Sequence, residues 1–467
     1  MQAIQKRTAE TMQGSYDIEA RFSDRGLIRL MLPLVIEQLL AVSVGLADTV
    51  MVSGVGEHAV SAISLVDSLN FLLIQLFSAL ATGGAVVAAQ YIGRADRKNA
   101  CETARQLTYS TTLIAVLLAA VAIALNGPIL RLIYGSLDAA VMENARRYFF
   151  LSALSYPFLA LYNAGAALFR SMGNSRVSML ASLAMNAVNV AGNAVLIYGF
   201  HLGVVGAGAA TLVSRALAAV IVTRLLADPH NEIYLDRLLH IDFKPGIVRS
   251  ILRVGVPNGL ENSIFQVGKL IVAGLVSTFG TTAIASNAIC NSINGFVCVP
   301  GNAIGLGLIT VVGQCMGAGR SDLARRYVRK LMLWIHLCSG ALCLGLFVFA
   351  GQVLRIYNLT PESLEMSRTV IRWFAVFQTF TWPTSFPFPN ALRAAGDARF
   401  TMIVSMVSMW LCRVGLCYVF TYVPFFARLF PFPLLGVFFA MFVDWIFRDA
   451  FFLTRWAGGK WEKHALI

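Results

Sequence analysis

Ionisable side chains inside the long apolar runs of this chain include Glu37, Asp48, Asp67, Glu261, Lys269, Arg413, Asp444, Arg448 and Asp449. A charge in such surroundings is costly unless it pairs with another or faces a polar cavity, so each is a candidate for function. Asp48 has the most informative company. Asn186, Asn189 and Asn193 recur at i, i+3 and i+7, which puts three amides on one helical face. Thr211 follows in the next apolar run. A carboxylate, amide carbonyls and a hydroxyl are the oxygen ligands that a hard cation such as Na⁺ takes. The same carboxylate could carry a proton instead.

The other charges point to a substrate cleft or to internal pairing. Glu37 and Glu261 each lie one turn past a proline, Pro33 and Pro257. They either face a cleft or hydrogen-bond backbone groups that the proline frees. Arg413 and Asp444 sit at similar depth in their runs, as an internal ion pair would, and Lys269 lies two turns beyond Glu261. The segment 373–389 crowds aromatic residues, Trp382 among them, around Pro383, Pro387 and Pro389. Aromatic faces at a broken helix can receive an apolar or cationic ligand. The expected cleft residues are therefore Glu37, Asp67, Glu261, Arg413 and Trp382.

The elements that must position these groups follow from composition. Of 467 residues, 57% are apolar and 13% charged, against about 25% charged in soluble domains. That excludes a soluble multidomain enzyme. A bilayer core of about 30 Å needs about 20 apolar residues per helix. The chain offers twelve such runs, near 27–52, 59–90, 107–130, 148–169, 177–200, 203–226, 249–279, 283–313, 331–354, 369–392, 400–423 and 434–454. Counting from the run ends puts Asp48, Asn193 and Thr211 at one depth, roughly 8–12 Å from the surface opposite the termini.

An even number of spans leaves both termini on one side. Of 37 Lys and Arg, 26 fall on the face shared by the termini, seven on the other and four within spans. Basic loops stay cytoplasmic, so both termini are expected in the cytoplasm of a cell-membrane protein. The excess charge of +13 is thereby explained without nucleic acid, for which no basic stripe with interleaved aromatics is present.

The halves repeat. Sliding the sequence by 224 residues pairs 29–107 with 253–331 and gives 18 identities in 79 positions, among them Pro33 with Pro257 and Glu37 with Glu261. An offset of 223 pairs LFRSMGNSR (168–176) with ALRAAGDAR (391–399), matching Arg170 with Arg393 and Gly173 with Gly396. Asp48 pairs with Val272, Asn189 with Cys412 and Asn193 with Leu416, so the oxygen cluster belongs to the first half alone. The expected fold is all-α: twelve transmembrane helices in two six-helix lobes, related by a pseudo-twofold along the membrane normal. The expected division is a cytoplasmic tail at 1–26, a first lobe at 27–226, an interlobe loop at 227–248, a second lobe at 249–454 and a tail at 455–467. The polar stretch 228–246 reads as a solvated loop.

Catalytic chemistry finds little support. The eight cysteines lie in or beside apolar runs without CxxC spacing, and the six histidines are scattered over loops and span ends. No metal site beyond a possible Na⁺ at Asp48, no cofactor and no intramembrane catalytic group is expected. GVVGAG (203–208) opens a membrane helix with no strand before it, which is not a nucleotide-binding context.

The segments GLADTVMVSGVGEHAVSA (45–62), GGAVVAAQYIGRAD (83–96) with its echo GQCMGAGRSD (313–322), LFRSMGNSR, NVAGNAVLIYG (189–199) and GVVGAGAATLVSR (203–215) resemble multidrug and toxic compound extrusion (MATE) transporters. The likeness runs over essentially the whole chain. It implies secondary antiport, with inward Na⁺ or H⁺ driving export of organic, often cationic, drugs or metabolites by alternating access, in a monomer without a cofactor. By resemblance the coupling-cation site is Asp48, Asn189, Asn193 and Thr211, and Pro33 matches a proline proposed to bend with protonation. Asn193 stands where some members have Asp. Phe265 occupies the usual position of a span-seven acid, and span ten has none. The alternative is a lipid or lipid-linked precursor flippase of related architecture, which would carry a more cationic cleft.

Overall fold

The computed structural model describes residues 18–135, 138–236, 242–357, 359–464 and 466–467, with the backbone alone for 44–50 and 53. Among the described residues the regular structure is entirely helical. The helices follow the twelve apolar runs: Asp24–Ser53, Glu57–Gly93, Arg97–Ala124 with a short Asn126–Tyr134, Ala139–Ser171, Ser175–Asn193, Gly203–Leu226, Pro245–Ser277, Thr281–Val297 with Val299–Gly317, Ser321–Arg355, Pro361–Phe380 with two short pieces, Ala398–Ser408 running on to Tyr422, and Pro433–Ala457.

Eight of these helices are long and apolar enough by themselves to cross a membrane. Polar groups or breaks dilute the rest. Span seven holds Arg249, Arg253, Glu261 and Lys269; span twelve holds Asp444, Arg448 and Asp449. Span ten breaks after Phe380 into Trp382–Ser385 and Pro389–Ala394, because its prolines remove helical donors and crowd the preceding turn. Three of these charges, Glu261, Asp444 and Arg448, are in internal ion pairs.

Helix ends are set by local chemistry. Asp96 and Asp138 accept hydrogen bonds from the first-turn amides of Asn99 (3.1 Å) and Ala140 (2.8 Å). Gly173 and Gly396, matched by the repeat, close spans four and ten at φ +79° and +98°, where a side chain would be strained. Two spans contain a π-turn, at Ala194–Gly199 directly after Asn193 and at Met409–Gly415 around Arg413. Such turns insert an extra residue into the helix and recur at functional sites.

The chain divides into two compact units, the first ending at Gly259 and the second Leu260–Leu466. The start of span seven belongs to the first unit because small residues let backbones meet there: Gly255 lies against Leu80, and a side chain on Gly83 would overlap the backbone at Ile251 and Gly255. The segment 228–236, expected as a solvated loop, is a strap on the first unit. Arg97 donates to the carbonyls of Pro229 (2.6 Å), Asn231 (2.8 Å) and Glu232 (3.2 Å), and Arg21 bonds the Glu232 carboxylate at 2.5 Å. Within the strap, Ile233 and Leu235 are buried. The alternation of apolar and polar residues from Ile233 to Asp236 is what a one-sided contact requires.

The second unit has an aromatic core. Phe377 stacks on Phe442 at 4.3 Å, and Phe374, Phe386 and Phe442 meet the Trp445 ring. Trp382 is buried, stacks on Phe386 at 6.0 Å, and lies over Gly301, whose missing side chain makes room for it.

Candidate functional site

Span five delivers its amides to span six. Asn189 Nδ2 donates to Thr211 Oγ1 at 3.3 Å, and Asn193 Nδ2 lies 3.5 Å from Asn189 Oδ1. The i, i+4 spacing stacks the two amides, and both side chains are buried. Thr211 turns its own hydroxyl proton to the Ala207 carbonyl at 3.0 Å. Its lone pairs remain available to donors such as Asn189. Asn186, on the same stripe, instead reaches Ser182 Oγ at 3.4 Å.

The Asp48 side chain lies outside the described residues. Its helix packs along span five. Tyr198, in the π-turn after Asn193, donates its hydroxyl to the Met51 carbonyl at 2.7 Å, and Gly54 lies against the same ring. The span-one backbone that carries Asp48 is thus fastened beside the end of span five.

Glu37 and Glu261, expected at a cleft or on free backbone groups, occupy matched buried ion pairs. Arg170 Nη1 is 3.1 Å from Glu37 Oε1, while Ser178 donates to Glu37 Oε2 at 2.8 Å. In the second unit Arg393 Nη2 is 2.8 Å from Glu261 Oε1, and its Nη1 bonds Asn390 Oδ1 at 2.7 Å. Each joins the first helix of a half to the end of its fourth. The repeat alignment had already paired Glu37 with Glu261 and Arg170 with Arg393. What it could not supply was contact across more than a hundred residues of chain.

Asp67 sits in a hydroxyl and amide network of the first unit. It accepts from Tyr148 (3.1 Å) and Asn70 (3.2 Å), and Tyr156 donates to Asn70 Oδ1 at 2.7 Å. Arg413 pairs with Asp444, Nε to Oδ2 at 3.2 Å. Asp444 is shared: Arg448 Nε approaches its other oxygen at 2.9 Å, and Ser408 donates to it as well. Both guanidinium groups stand over the Phe265 ring, at 5.0 and 5.3 Å. Trp382 is enclosed by the aromatic core. Pro33 lies inside the span-one helix, one turn before Glu37.

A second polar region opens in the second unit. Lys269, Asn287, Asn291 and Arg413 line a cavity of about 140 Å³ whose other walls include Val272, Val437 and Phe438. Among the described residues no group of three or more His, Cys, Asp or Glu could hold a metal ion. Taken together, a duplicated helical bundle with buried polar clusters in each half has the makings of a membrane carrier.

Comparison with known proteins agrees. A family profile described as MatE matches residues 33–195 and, a second time, 257–419, the second match starting 224 residues after the first. The chain belongs to the MatE family. It is 26% identical to the probable multidrug resistance protein NorM of Thermotoga maritima over 450 residues, 94% of each chain. It is 25% identical to the multidrug resistance protein PmpM of Pseudomonas aeruginosa over 85% of this chain and 83% of that one. Among solved structures it is similar to a MATE transporter in a bent conformation, with a TM-score of 0.85, 21% identity and coverage of 94% and 96%. It also matches an outward-facing multidrug resistance MATE transporter, TM-score 0.85 at 20% identity and the same coverage. The architecture is thus the twelve-helix, two-lobe one.

Proposed function

We propose that the chain is a secondary antiporter of the cell membrane that exports amphipathic organic molecules, in exchange for Na⁺ or H⁺ bound in the first half. The observation that carries this reading is the meeting of Asn189, Asn193 and Thr211 beside the helix that bears Asp48. The names of NorM and PmpM, both multidrug resistance proteins, support drugs as cargo. In this reading the chain is a monomeric carrier rather than an enzyme. Both termini are cytoplasmic, and 227–248 links a first lobe at 27–226 to a second at 249–454.

The mechanism asks little of the residues beyond exchange of partners. A cation entering from outside completes its shell with the Asp48 carboxylate, the two amide oxygens and the Thr211 hydroxyl. Bound charge then favours one arrangement of spans one and five over another, and a carrier works when cargo favours the opposite one.

Proteoliposomes preloaded with a fluorescent organic cation test this under an imposed Na⁺ gradient and then an H⁺ gradient, with wild type and Asp48→Asn. Wild type should export the dye under one gradient and name its ion. Asp48→Asn should insert and purify normally but lose gradient-driven export; full export by the variant rejects the site.

A further inference from the structure

The two halves place opposite polarity at matching positions. In the first half the candidate cluster is Asp48 with Asn189 and Asn193; the repeat turns these into Val272, Cys412 and Leu416. Val272 lines the second-unit cavity, and the cavity's cations flank the matched positions: Lys269 stands one turn before Val272, and Arg413 directly follows Cys412. Where one half offers a carboxylate and amide oxygens, the other offers an ammonium, a guanidinium and two amides.

Neither Asp nor Glu is among the lining residues. Asp444 lies behind the wall and is divided between Arg413 and Arg448, so one carboxylate meets two guanidinium groups. Asp449, the other acid nearby on span twelve, is bonded by Ser385 at 2.8 Å. Lys269 has no hydrogen-bond or ion-pair partner among the described residues. Lys269 and Asn291 are exposed, while Arg413 is buried. Asn291 is oriented by a bond from its Nδ2 to Asn287 Oδ1 at 3.1 Å. A volume of about 140 Å³ exceeds several waters at about 30 Å³ each, enough for a small charged head group. Apolar walls at Val272, Val437 and Phe438 would take the carbon skeleton next to it.

We infer that this cavity is an oxyanion subsite: Lys269 and Arg413 hold a carboxylate or phosphate group of an amphipathic molecule, with Asn287 and Asn291 completing its hydrogen bonds. A carboxylate accepts charge-assisted bonds from both cations, and a permanent organic cation is repelled by them. The identity of the occupant as cargo rests on the exporter reading; the preference for an oxyanion does not.

The test uses two dyes that differ only in one group. Rhodamine 110 carries a free carboxyl and rhodamine 123 is its methyl ester. Fluorescence anisotropy with the full-length protein in dodecyl maltoside measures both affinities for wild type, Lys269→Gln and Lys269→Arg. Wild type should bind rhodamine 110 more tightly than rhodamine 123. Lys269→Gln should weaken rhodamine 110 by about tenfold, the value of one charge-assisted bond, and leave rhodamine 123 within about twofold. Lys269→Arg should restore binding. Equal changes for both dyes, or no binding of rhodamine 110 by wild type, would overturn the inference.

Mixed micelles separate the two sources of the oxyanion. Displacement of rhodamine 110 by phosphatidylglycerol but not phosphatidylcholine assigns the site to a lipid head group; no displacement by either assigns it to a soluble carboxylate. Export of rhodamine 110 from proteoliposomes is scored separately. Absence of gradient-driven export with oxyanion binding intact would sink the exporter reading alone.

Discussion

Removing Glu261 asks whether the buried pair in the second half holds the fold or serves transport. Glu261 and Arg393 are each 7% exposed, and their closest oxygen and nitrogen are 2.8 Å apart. Breaking such a pair from one side leaves a buried charge uncompensated, which costs about 3–5 kcal/mol. Arg393 would keep its bond to Asn390, so the lower end of that range, about 3 kcal/mol, is expected for Glu261→Ala. Removing both partners leaves no orphan charge, so Glu261→Ala/Arg393→Ala should recover more than half of the loss. Thermal unfolding in detergent, followed for wild type, both single variants and the double variant, supplies the cycle. Equal stability of Glu261→Ala and wild type, or losses that simply add in the double variant, would refute the assignment of a structural pair. The matched Glu37 and Arg170 should give a smaller effect, because Ser178 still bonds the carboxylate when Arg170 is removed.

Gly301→Leu should destabilise the second unit by about 1–3 kcal/mol, since the new side chain must displace the Trp382 ring; unchanged unfolding temperature and unchanged tryptophan emission would count against that packing. A pH effect is expected where the strap ends. Glu102, on the segment before the third apolar run, is buried, which works against its charged form. Hydrogen bonds from Gln106, Lys244 and Arg105 outweigh that and hold its carboxyl below the ordinary carboxylate range. A carboxylate depressed in the folded state stabilises above its unfolded pKa and loses that contribution as pH falls through the folded value. The protection of the amides around Asp242–Lys244, taken as observed exchange relative to the intrinsic rate at each pH, should therefore fall at acid pH, at and below about 4, and be flat from pH 5 to 8. Glu102→Gln should show the low protection at every pH, and identical profiles for variant and wild type would dismiss a stabilising role for the Glu102 carboxylate.

Much of this architecture could be read from the sequence because the bilayer imposes a length and an apolar composition on every span. The repeat was equally legible, since Pro33, Glu37, Arg170 and Gly173 each return in the second half. The meeting of Asn189, Asn193 and Thr211 could be anticipated from helical spacing and a count of depth. Other features need the third dimension. Trp382 has the composition of a ligand-binding aromatic, and only the gap over Gly301 makes it core. The strap at 228–236 looks polar because its arginine partners, Arg21 and Arg97, lie far back in the chain. Glu37 and Glu261 posed a choice between cleft and backbone, and their arginine partners, which arrive from span four and span ten, could not be read from either helix alone.

The matched ion pairs also bear on ancestry. A Glu–Arg pair that ties the same two helices in both halves is most simply inherited from a six-span ancestor that assembled as a symmetric dimer. Such a dimer must present identical chemistry twice and cannot give cargo and driving ion different addresses. Fusion into one gene removes that constraint, because a substitution then changes one copy only. On the reading proposed above, the inherited pair preserved the scaffold while one copy kept oxygen ligands and the other acquired cations.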